Sequence, residues 1–293
     1  MIFTIPLNKV IEDITVRSSN FSTPINAMHI SSNQSLHFMG TLPEDLYPFV
    51  YGGKSRTLRL WHGDLLDNNT IETKGKTNDV DAIIYELADI RFLLVPKFLL
   101  EKFLKEQHHI DDISQYYKYN SYSFNDEDLK IFLNLHTAVL NNEEVLESEI
   151  KDCLLRLLKK PLQKSAVVDK RYVLVKRAIE MMKQYIKEPI QIKELTKKLN
   201  TSERTLELVF QKFLTISPKA YYKRLLLSYV EIALRKEGEQ NVSEVLQEFQ
   251  IYNLSQFGAS FKKNFDSTPS DILSMKNKNN PFGWDENVFF EFS

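Results

Sequence analysis

Two stretches of the chain place side chains that can pair with nucleic-acid bases at the start of a helical pattern. In the second stretch these side chains lie opposite three phenylalanines, Phe257, Phe261 and Phe265, which recur every four residues and predict a buried stripe. Asparagine and glutamine can form two hydrogen bonds with an adenine edge in the major groove. The candidates for base contact are Glu203, Arg204, Thr205, Asn253, Ser255, Gln256 and Ala259. Asn253 is equally suited to cap the helix that follows it.

Three lysines flank these candidates and are suited to contact phosphates. Lys212 follows the first group, and Lys262 and Lys263 follow the second. Phosphate contacts position a protein on a duplex without reading its sequence. The alternative is that all three are ordinary solvated surface lysines.

The sequence contains few patterns typical of metal binding or catalysis. Three histidines, His29, His37 and His62, leave a cupin-type metalloenzyme as an alternative, but no H-x-H motif with a spaced glutamate and histidine follows. His108 and His109 lie in a polar stretch. The single cysteine, Cys153, excludes an internal disulfide framework and a multi-cysteine zinc site, and neither a P-loop nor a GxSxG elbow is present. We therefore assign no catalytic residue, metal or cofactor.

Composition indicates two domains with different roles. The chain has 293 residues and 43% hydrophobic residues, enough for two cores. Its net charge of −1 conceals an asymmetry, since residues 169–278 carry 20 Lys+Arg and 13 Asp+Glu. A basic half is typical of nucleic-acid binding. The N-terminus does not resemble a signal peptide, and no run approaches the ~20 apolar residues that cross a bilayer. We expect a cytoplasmic protein without a membrane partner.

The basic half predicts the same helical unit twice. Residues 192–213 and 242–265 each read as a short helix, a turn and a second helix. Between them, Ser217-Pro218 predicts a cap and the start of a long helix through Arg235. Asn241 has the spacing of a capping box with Glu244, and Thr268-Pro269 predicts a last short helix. Two helix-turn-helix units on one connecting helix could address successive major-groove turns about 34 Å apart.

The N-terminal part reads as strands followed by helices. Short β segments are predicted at 27–30, 36–40, 57–61, 81–87 and 91–95, which favours a small barrel or sandwich. A helix is predicted after Pro96, and Asn125 predicts the cap of another. Two amphipathic stripes follow, and they could pack either on the β domain or on a second chain. Their residues are Leu129, Phe132, Leu133, His136 and Leu140 in one helix and Leu146, Ile150, Leu154 and Leu157 in the next.

The C-terminal residues resemble the DNA-binding domain of AraC/XylS-type transcription regulators over roughly 100 residues. The matching positions in the first unit are Ser202, Arg204, Leu206, Phe210, Lys212, Ile216, Ser217, Pro218, Arg224 and Leu225. Those in the second are Phe257, Phe261, Lys262, Phe265, Thr268, Pro269 and Ser270. The ending is similar to the ethanolamine-utilisation-regulator branch.

The chain also departs from that family's pattern. Thr215 and Asp266 stand where glycine is usual, and Gln250-Ile251 replaces a Gly-Phe pair. Aspartate tolerates the left-handed conformation at moderate cost, and Ile251 keeps an apolar anchor. On the first recognition helix, Leu208 replaces a commonly basic residue and Glu207 puts an acid on the exposed side. Both changes weaken the binding of phosphate by this helix. We therefore hypothesise that the second unit contributes more of the affinity.

The resemblance implies an α+β protein with an N-terminal cupin-like β barrel, a helical linker and a C-terminal all-α domain with two helix-turn-helix units. Residues 63–66, Gly-Asp-Leu-Leu, are similar to a turn of such sensors. The expected division is a sensor at 1–110, a helical linker and dimerisation region at 111–165, a DNA-binding domain at 166–275 and an aromatic tail at 276–293. The implied partners are double-stranded DNA, RNA polymerase, a small-molecule effector and a second copy of the chain, with activation the commoner output. The remaining alternative is a helical interaction protein that does not bind DNA.

Overall fold

Strands occupy the N-terminal part of the chain and helices most of the remainder. The computed structural model describes residues 2–6, 14–19, 24–32, 35–53, 59–61, 64–65, 69–73, 79–85, 88–108, 121–159, 161, 170–235 and 241–275. The described strands are β1 (Ile2–Pro6), β2 (Ile14–Ser18), β3 (Asn26–Ser32), β4 (Leu36–Thr41), β5 (Leu46–Tyr51), β6 (Arg59–Trp61), β7 (Asp64–Leu65), β8 (Thr70–Glu72), β9 (Asp79–Ile84), β10 (Ala88–Pro96) and β11 (Ser121–Ser123).

The helices fall into a linker group and a C-terminal group. The linker group is α1 (Lys97–His108), α2 (Asp126–Leu140) and α3 (Glu147–Leu157). The C-terminal group is α4 (Lys170–Gln184), α5 (Ile192–Lys198), α6 (Glu203–Leu214), α7 (Pro218–Arg235), α8 (Val242–Glu248), α9 (Leu254–Phe265) and α10 (Pro269–Met275). Among the described residues, no helix combines the length and apolar character needed to span a membrane.

The strands form two antiparallel sheets that face each other. One sheet has the order β1-β4-β9-β6-β7 and the other β11-β8-β5-β10-β3-β2. Phe38 and Trp61 of the first sheet pack with Met28 and Phe92 of the second in an apolar core between them. The five predicted β segments correspond to β3, β4, β6, β9 and β10. The described strands form separate sheets rather than one closed sheet, so the expected cupin-like barrel is not confirmed.

The linker helices pack on the outer face of the six-stranded sheet. Leu129, Phe132 and His136 of α2 are buried there, and Ile150 and Leu154 of α3 are buried in the same apolar cluster, where α3 packs mainly on α2 and α1. His136 also contacts the sheet through its Nε2, which lies 3.1 Å from the carbonyl oxygen of Met28. The stripe of α2 is therefore covered by the chain's own β domain and that of α3 by α2 and α1, except for Leu146, which is 61% exposed.

Alternation along β4 and β9 sends every second side chain out of the sandwich. Phe38 and Ala82 point into the core between the sheets, whereas Met39 and Ile83 belong to the core of the C-terminal helices. Because residues two apart in a strand face the same side, His37 lies on the same side as Met39, and Asp81 on the same side as Ile83. His37 and Asp81 therefore also face those helices. The five-stranded sheet is therefore sandwiched between the other sheet and the C-terminal domain.

Candidate nucleic-acid interface

The C-terminal domain contains two helical units of the same construction. In each, a short helix (α5 or α8) precedes a 12-residue helix (α6 or α9) whose N-cap is a polar side chain. Ser202 Oγ accepts from the backbone N–H of Thr205 at 3.0 Å, and Asn253 Oδ1 accepts from that of Gln256 at 3.1 Å. Asn253 thus caps α9, one of the two roles that its position allowed. Its contribution to base contact stays a prediction.

Left-handed residues end the helices of both units at matching places. Asn200 and Gln250 both have φ 55°, after α5 and α8 respectively, while Thr215 (φ 58°) and Asp266 (φ 50°) follow α6 and α9. The expectation that Asp266 adopts this conformation is confirmed. A β-branched threonine is disfavoured there, because its Cβ substituents crowd the backbone. The departures from glycine at these turns therefore keep the backbone geometry at a cost in stability.

The two turns differ in length by one residue. The left-handed Asn200 precedes the cap Ser202 by two positions, whereas Gln250 precedes the cap Asn253 by three. Ile251 packs partly buried against the helical core, as expected for an apolar anchor. Tyr252 is the additional residue of the second turn, and its side chain is 78% exposed.

Each recognition helix buries one stripe and exposes the opposite face. In α6 the buried residues are Leu206, Val209, Phe210, Phe213 and Leu214. In α9 Phe261 is fully buried, and Phe257 and Phe265 pack on either side of it with ring centroids 5.8 and 4.6 Å away. The predicted phenylalanine core is confirmed. The candidate base contacts Glu203, Arg204, Thr205, Asn253, Ser255, Gln256 and Ala259 are all exposed.

The lysines predicted to meet phosphates lie beside those faces. Lys212, Lys262 and Lys263 are exposed in the last turns of α6 and α9. Lys212 Nζ lies 4.6 Å from the ring centroid of Phe213, so its aliphatic stem follows the helix surface. The positions fit the predicted role, which stays a prediction.

Helix α7 joins the two units through one continuous core. Leu225 and Val230 of α7 belong to the same buried cluster as Phe210 of α6 and Phe261 of α9. Lys223 also donates to Ser260 Oγ of α9 at 2.8 Å. At 18 residues, α7 is about 27 Å long, and it packs with both units in this shared core.

The β domain contacts α4 and α7 of the C-terminal domain through a buried polar network that the sequence did not predict. Asp81 Oδ1 accepts from Tyr172 Oη of α4 and lies close to His37 Nε2, both at 2.9 Å. Lys176 Nζ is 3.1 Å from Asp81 Oδ2, and His37 Nδ1 is 2.9 Å from Tyr221 Oη of α7. The sign of this network in the sequence is Asp81, a charged residue between the apolar residues of the strand DVDAII.

Electrostatics favour the charged form of Asp81 within this network. Burial opposes the charge, but the hydrogen bond and charge of His37, the charge of Lys176 and the hydroxyl of Tyr172 together lower the pKa of Asp81 below its usual range. Burial raises the pKa of Tyr172 and of Tyr221 well above the usual value, so both hydroxyls stay protonated donors. A separate contact joins Tyr85 Oη to the carbonyl oxygen of Phe213 at the end of α6.

The histidines do not converge on a metal site in the described part of the chain. His29 lies in the six-stranded sheet, where its Nε2 is 2.7 Å from Asp89 Oδ1, while His37 lies in the other sheet. The described residues contain no group of three or more potential ligands. His62, His109, Gly63, Leu66 and the tail at 276–293 lie outside the described residues.

Comparison with known proteins assigns the C-terminal residues to a domain family. Residues 195–275 match the family model described as "Helix-turn-helix domain". The HTH-type transcriptional regulator GbdR of Pseudomonas aeruginosa is 31% identical over 93 residues, which cover 32% of this chain and 25% of that protein. The chain thus aligns with about a quarter of the curated relatives' length.

Solved structures of AraC-type regulators are also similar. A probable AraC family transcriptional regulator from Rhodopseudomonas palustris is 25% identical and covers 36% of this chain and 97% of its own, with a TM-score of 0.33. ToxT from Vibrio cholerae is 12% identical and covers 90% of this chain and 99% of its own, with a TM-score of 0.34. The resemblance of residues 195–275 to an AraC-type helix-turn-helix domain is confirmed. The ethanolamine-utilisation branch stays a prediction.

Proposed function

We propose that this chain is a sequence-specific DNA-binding transcription regulator whose helices α6 and α9 enter successive turns of the major groove. The observation that carries the proposal is the pair of capped recognition helices with exposed polar faces, held on α7 by one core. In a helix-turn-helix, the N-terminal residues of the second helix contact base edges. The same part of α6 and of α9 carries the candidate base contacts.

Roles for individual side chains follow from the edges that the bases present. Arg204 is suited to guanine, Gln256 to adenine and Glu203 to the amino group of cytosine. Lys212, Lys262 and Lys263 would neutralise phosphates at the ends of the recognition helices. Two lysines on α9 and one on α6 agree with the hypothesis that the second unit contributes more of the affinity.

We further propose that the β domain controls the DNA-binding domain. The network around Asp81 supports this role because it links β4 and β9 to α4 and α7, which pack with α6. A change in the β domain that moved either strand would disturb the support of the first recognition helix. Response to a small-molecule effector, activation through RNA polymerase and homodimerisation rest on the resemblance to AraC-type regulators. A cytoplasmic location belongs to the same proposal, since a regulator of this kind must reach DNA.

Selection from random duplex DNA with the full-length protein tests the proposal. Selected duplexes would be measured by fluorescence anisotropy at several salt concentrations. We expect a motif with two boxes about one helical turn apart and an affinity that falls steeply with salt. A helical interaction protein would enrich no motif and show no salt-dependent affinity for duplex DNA.

Matched substitutions identify which contacts read the sequence. Arg204→Ala should relax base preference within one box, and Gln256→Ala should relax it within the other. Arg17→Ala is the control, since Arg17 is an exposed arginine on β2 of the six-stranded sheet. If Arg204→Ala and Gln256→Ala selected the same motif as the unchanged protein, the proposed base contacts would be wrong.

A further inference from the structure

The reading faces of α6 and α9 carry large apolar side chains in addition to polar ones. Within the described part of the chain, the exposed large hydrophobic residues are Phe98, Leu146, Val173, Leu208, Tyr252 and Leu254. Three of these six belong to the two recognition helices or the turn that leads into one of them. Single exposed hydrophobic residues are ordinary on protein surfaces, but here they recur on or next to the recognition helices of both units, beside the predicted base contacts.

Leu208 lies in the middle of the exposed face of α6. Its side chain is 63% exposed, one turn after Arg204 and almost opposite the buried stripe that contains Phe210. Residues four apart on a helix lie on the same face, so Arg204 and Leu208 meet the same groove. Both side chains would then face base edges, as residues of the second helix of a helix-turn-helix do. Leu208 therefore needs an apolar partner on those edges.

In the second unit, the apolar side chains stand at the entrance to α9. Tyr252 is the extra residue of the turn, and Leu254, 49% exposed, is the first residue of the helix, as Glu203 is in α6. Counted from the caps Ser202 and Asn253, the position of Leu208 corresponds to Ala259, which is small and apolar. Each unit thus offers an apolar surface, in α6 at its middle and in α9 chiefly at its N-terminus.

The major groove offers one apolar group on a base edge, the C5 methyl of thymine. The flanking lysines Lys212, Lys262 and Lys263 supply charge complementary to a phosphate backbone, which makes DNA the occupant that fits both features. We infer that Leu208 in the first unit, and Tyr252 with Leu254 in the second, select thymine by contact with its methyl group. This inference rests on the proposed DNA-binding function and names the base class that these faces prefer.

Replacing thymidine by deoxyuridine tests the methyl group alone, because thymine and uracil form the same hydrogen bonds and differ only in the C5 methyl. The probe is the duplex selected with the full-length protein, resynthesised with deoxyuridine in the first box, the second box or both. We expect the unchanged protein to bind about fourfold more weakly for each contacted methyl group that is removed. The effect of the substituted base on the duplex itself is cancelled by comparing variants on both duplexes.

Variants assign the contacts to each box. Leu208→Ala should bind the thymine duplex more weakly and no longer distinguish it from the duplex with deoxyuridine in the first box. Leu254→Ala combined with Tyr252→Ala should abolish the distinction in the second box alone. Phe98→Ala is the matched control, because Phe98 is 69% exposed on α1 and outside the recognition helices. It should keep both distinctions. All four sites are exposed, so unchanged thermal unfolding is expected.

Two results would overturn the inference while leaving the proposed function intact. One is specific binding by the unchanged protein with equal affinity for thymine and deoxyuridine duplexes. The other is a Leu208→Ala variant that still distinguishes the two in the first box. If no duplex were selected at all, the proposed function would fail and the inference with it.

Discussion

Replacing Asp81 by asparagine should loosen the β domain from the C-terminal helical domain. The carboxylate accepts from Tyr172 and pairs with Lys176, both on α4, and it faces His37, which contacts Tyr221 on α7. Asparagine keeps the shape but removes the charge, and its amide N–H groups would face other donors. The variant therefore tests whether this buried charge holds the two domains together.

The magnitude follows from the burial of the network. Removing one partner of a buried, hydrogen-bonded ion pair costs about 3–5 kcal/mol. Lys176 is 42% exposed, so its share is reduced by solvent screening, and we expect a loss near the lower end, about 3 kcal/mol. The free energy of unfolding, measured by urea denaturation at pH 7, checks this value. Hydrogen exchange should accelerate in β4, β9 and α4.

The lowered pKa of Asp81 predicts that the stability of the protein depends on pH. Because the pKa of Asp81 is lower in the folded protein than in the unfolded chain, its contribution is present above the unfolded value of about 4. It is lost as pH falls through the folded pKa, below the usual aspartate range. The Asp81→Asn variant should lack this component of acid sensitivity.

A surface aspartate provides the control for Asp81. Asp152 is exposed and pairs with Arg156 four residues later on α3, so Asp152→Asn should cost less than about 1 kcal/mol. If Asp81→Asn cost no more than Asp152→Asn and left hydrogen exchange in β4 and β9 unchanged, the network would not be the link between the domains.

Three further outcomes follow from the C-terminal domain and the linker. Thr215→Gly should raise the free energy of unfolding by about 1 kcal/mol, because glycine adopts a φ of 58° without steric cost; a lower midpoint in urea would contradict this. Lys262→Gln and Lys263→Gln should each reduce the slope of log affinity against log salt by about 0.9, with unchanged base preference in anisotropy measurements, and an unaltered slope would remove these lysines from the phosphate contacts. Burial raises the pKa of Cys153 to about 12, so a thiol reagent at pH 8 should label it only after unfolding in denaturant; rapid labelling of the folded protein would show that the helix packing is wrong.

Local signals in the sequence predicted helices well both in the linker and in the C-terminal domain. The caps Asn125 and Asn241 act on residues three positions later, and Pro218 begins α7 directly after Ser217. Such contacts lie within one helical turn, so they can be read from adjacent residues. The periodicity of α6 and α9 likewise predicted which face is buried and which is exposed.

The strands and their pairing were harder to predict from the sequence. β5 was not predicted, and it contains Pro48, which resembles a strand breaker, although β5 pairs with both β10 and β8. The pairing of two distant strands compensates for the missing donor of one proline, and that compensation is not visible in either strand alone. For the same reason, strand periodicity favoured a barrel or sandwich and could not decide whether the sheet closes.

The sequence by itself determined the recognition helices, the phenylalanine core of α9 and the resemblance to AraC-type domains, and it offered capping as one of two roles for Asn253. Only the tertiary structure decided that α2 packs on the six-stranded sheet, that α3 packs on α2 and that Asp81 lies against α4. His37 and Tyr221 are separated by 184 positions in the chain, so no local pattern could pair them. Helix caps and stripes are properties of neighbouring residues, whereas a buried polar group becomes stable only when the whole fold brings its partners to it.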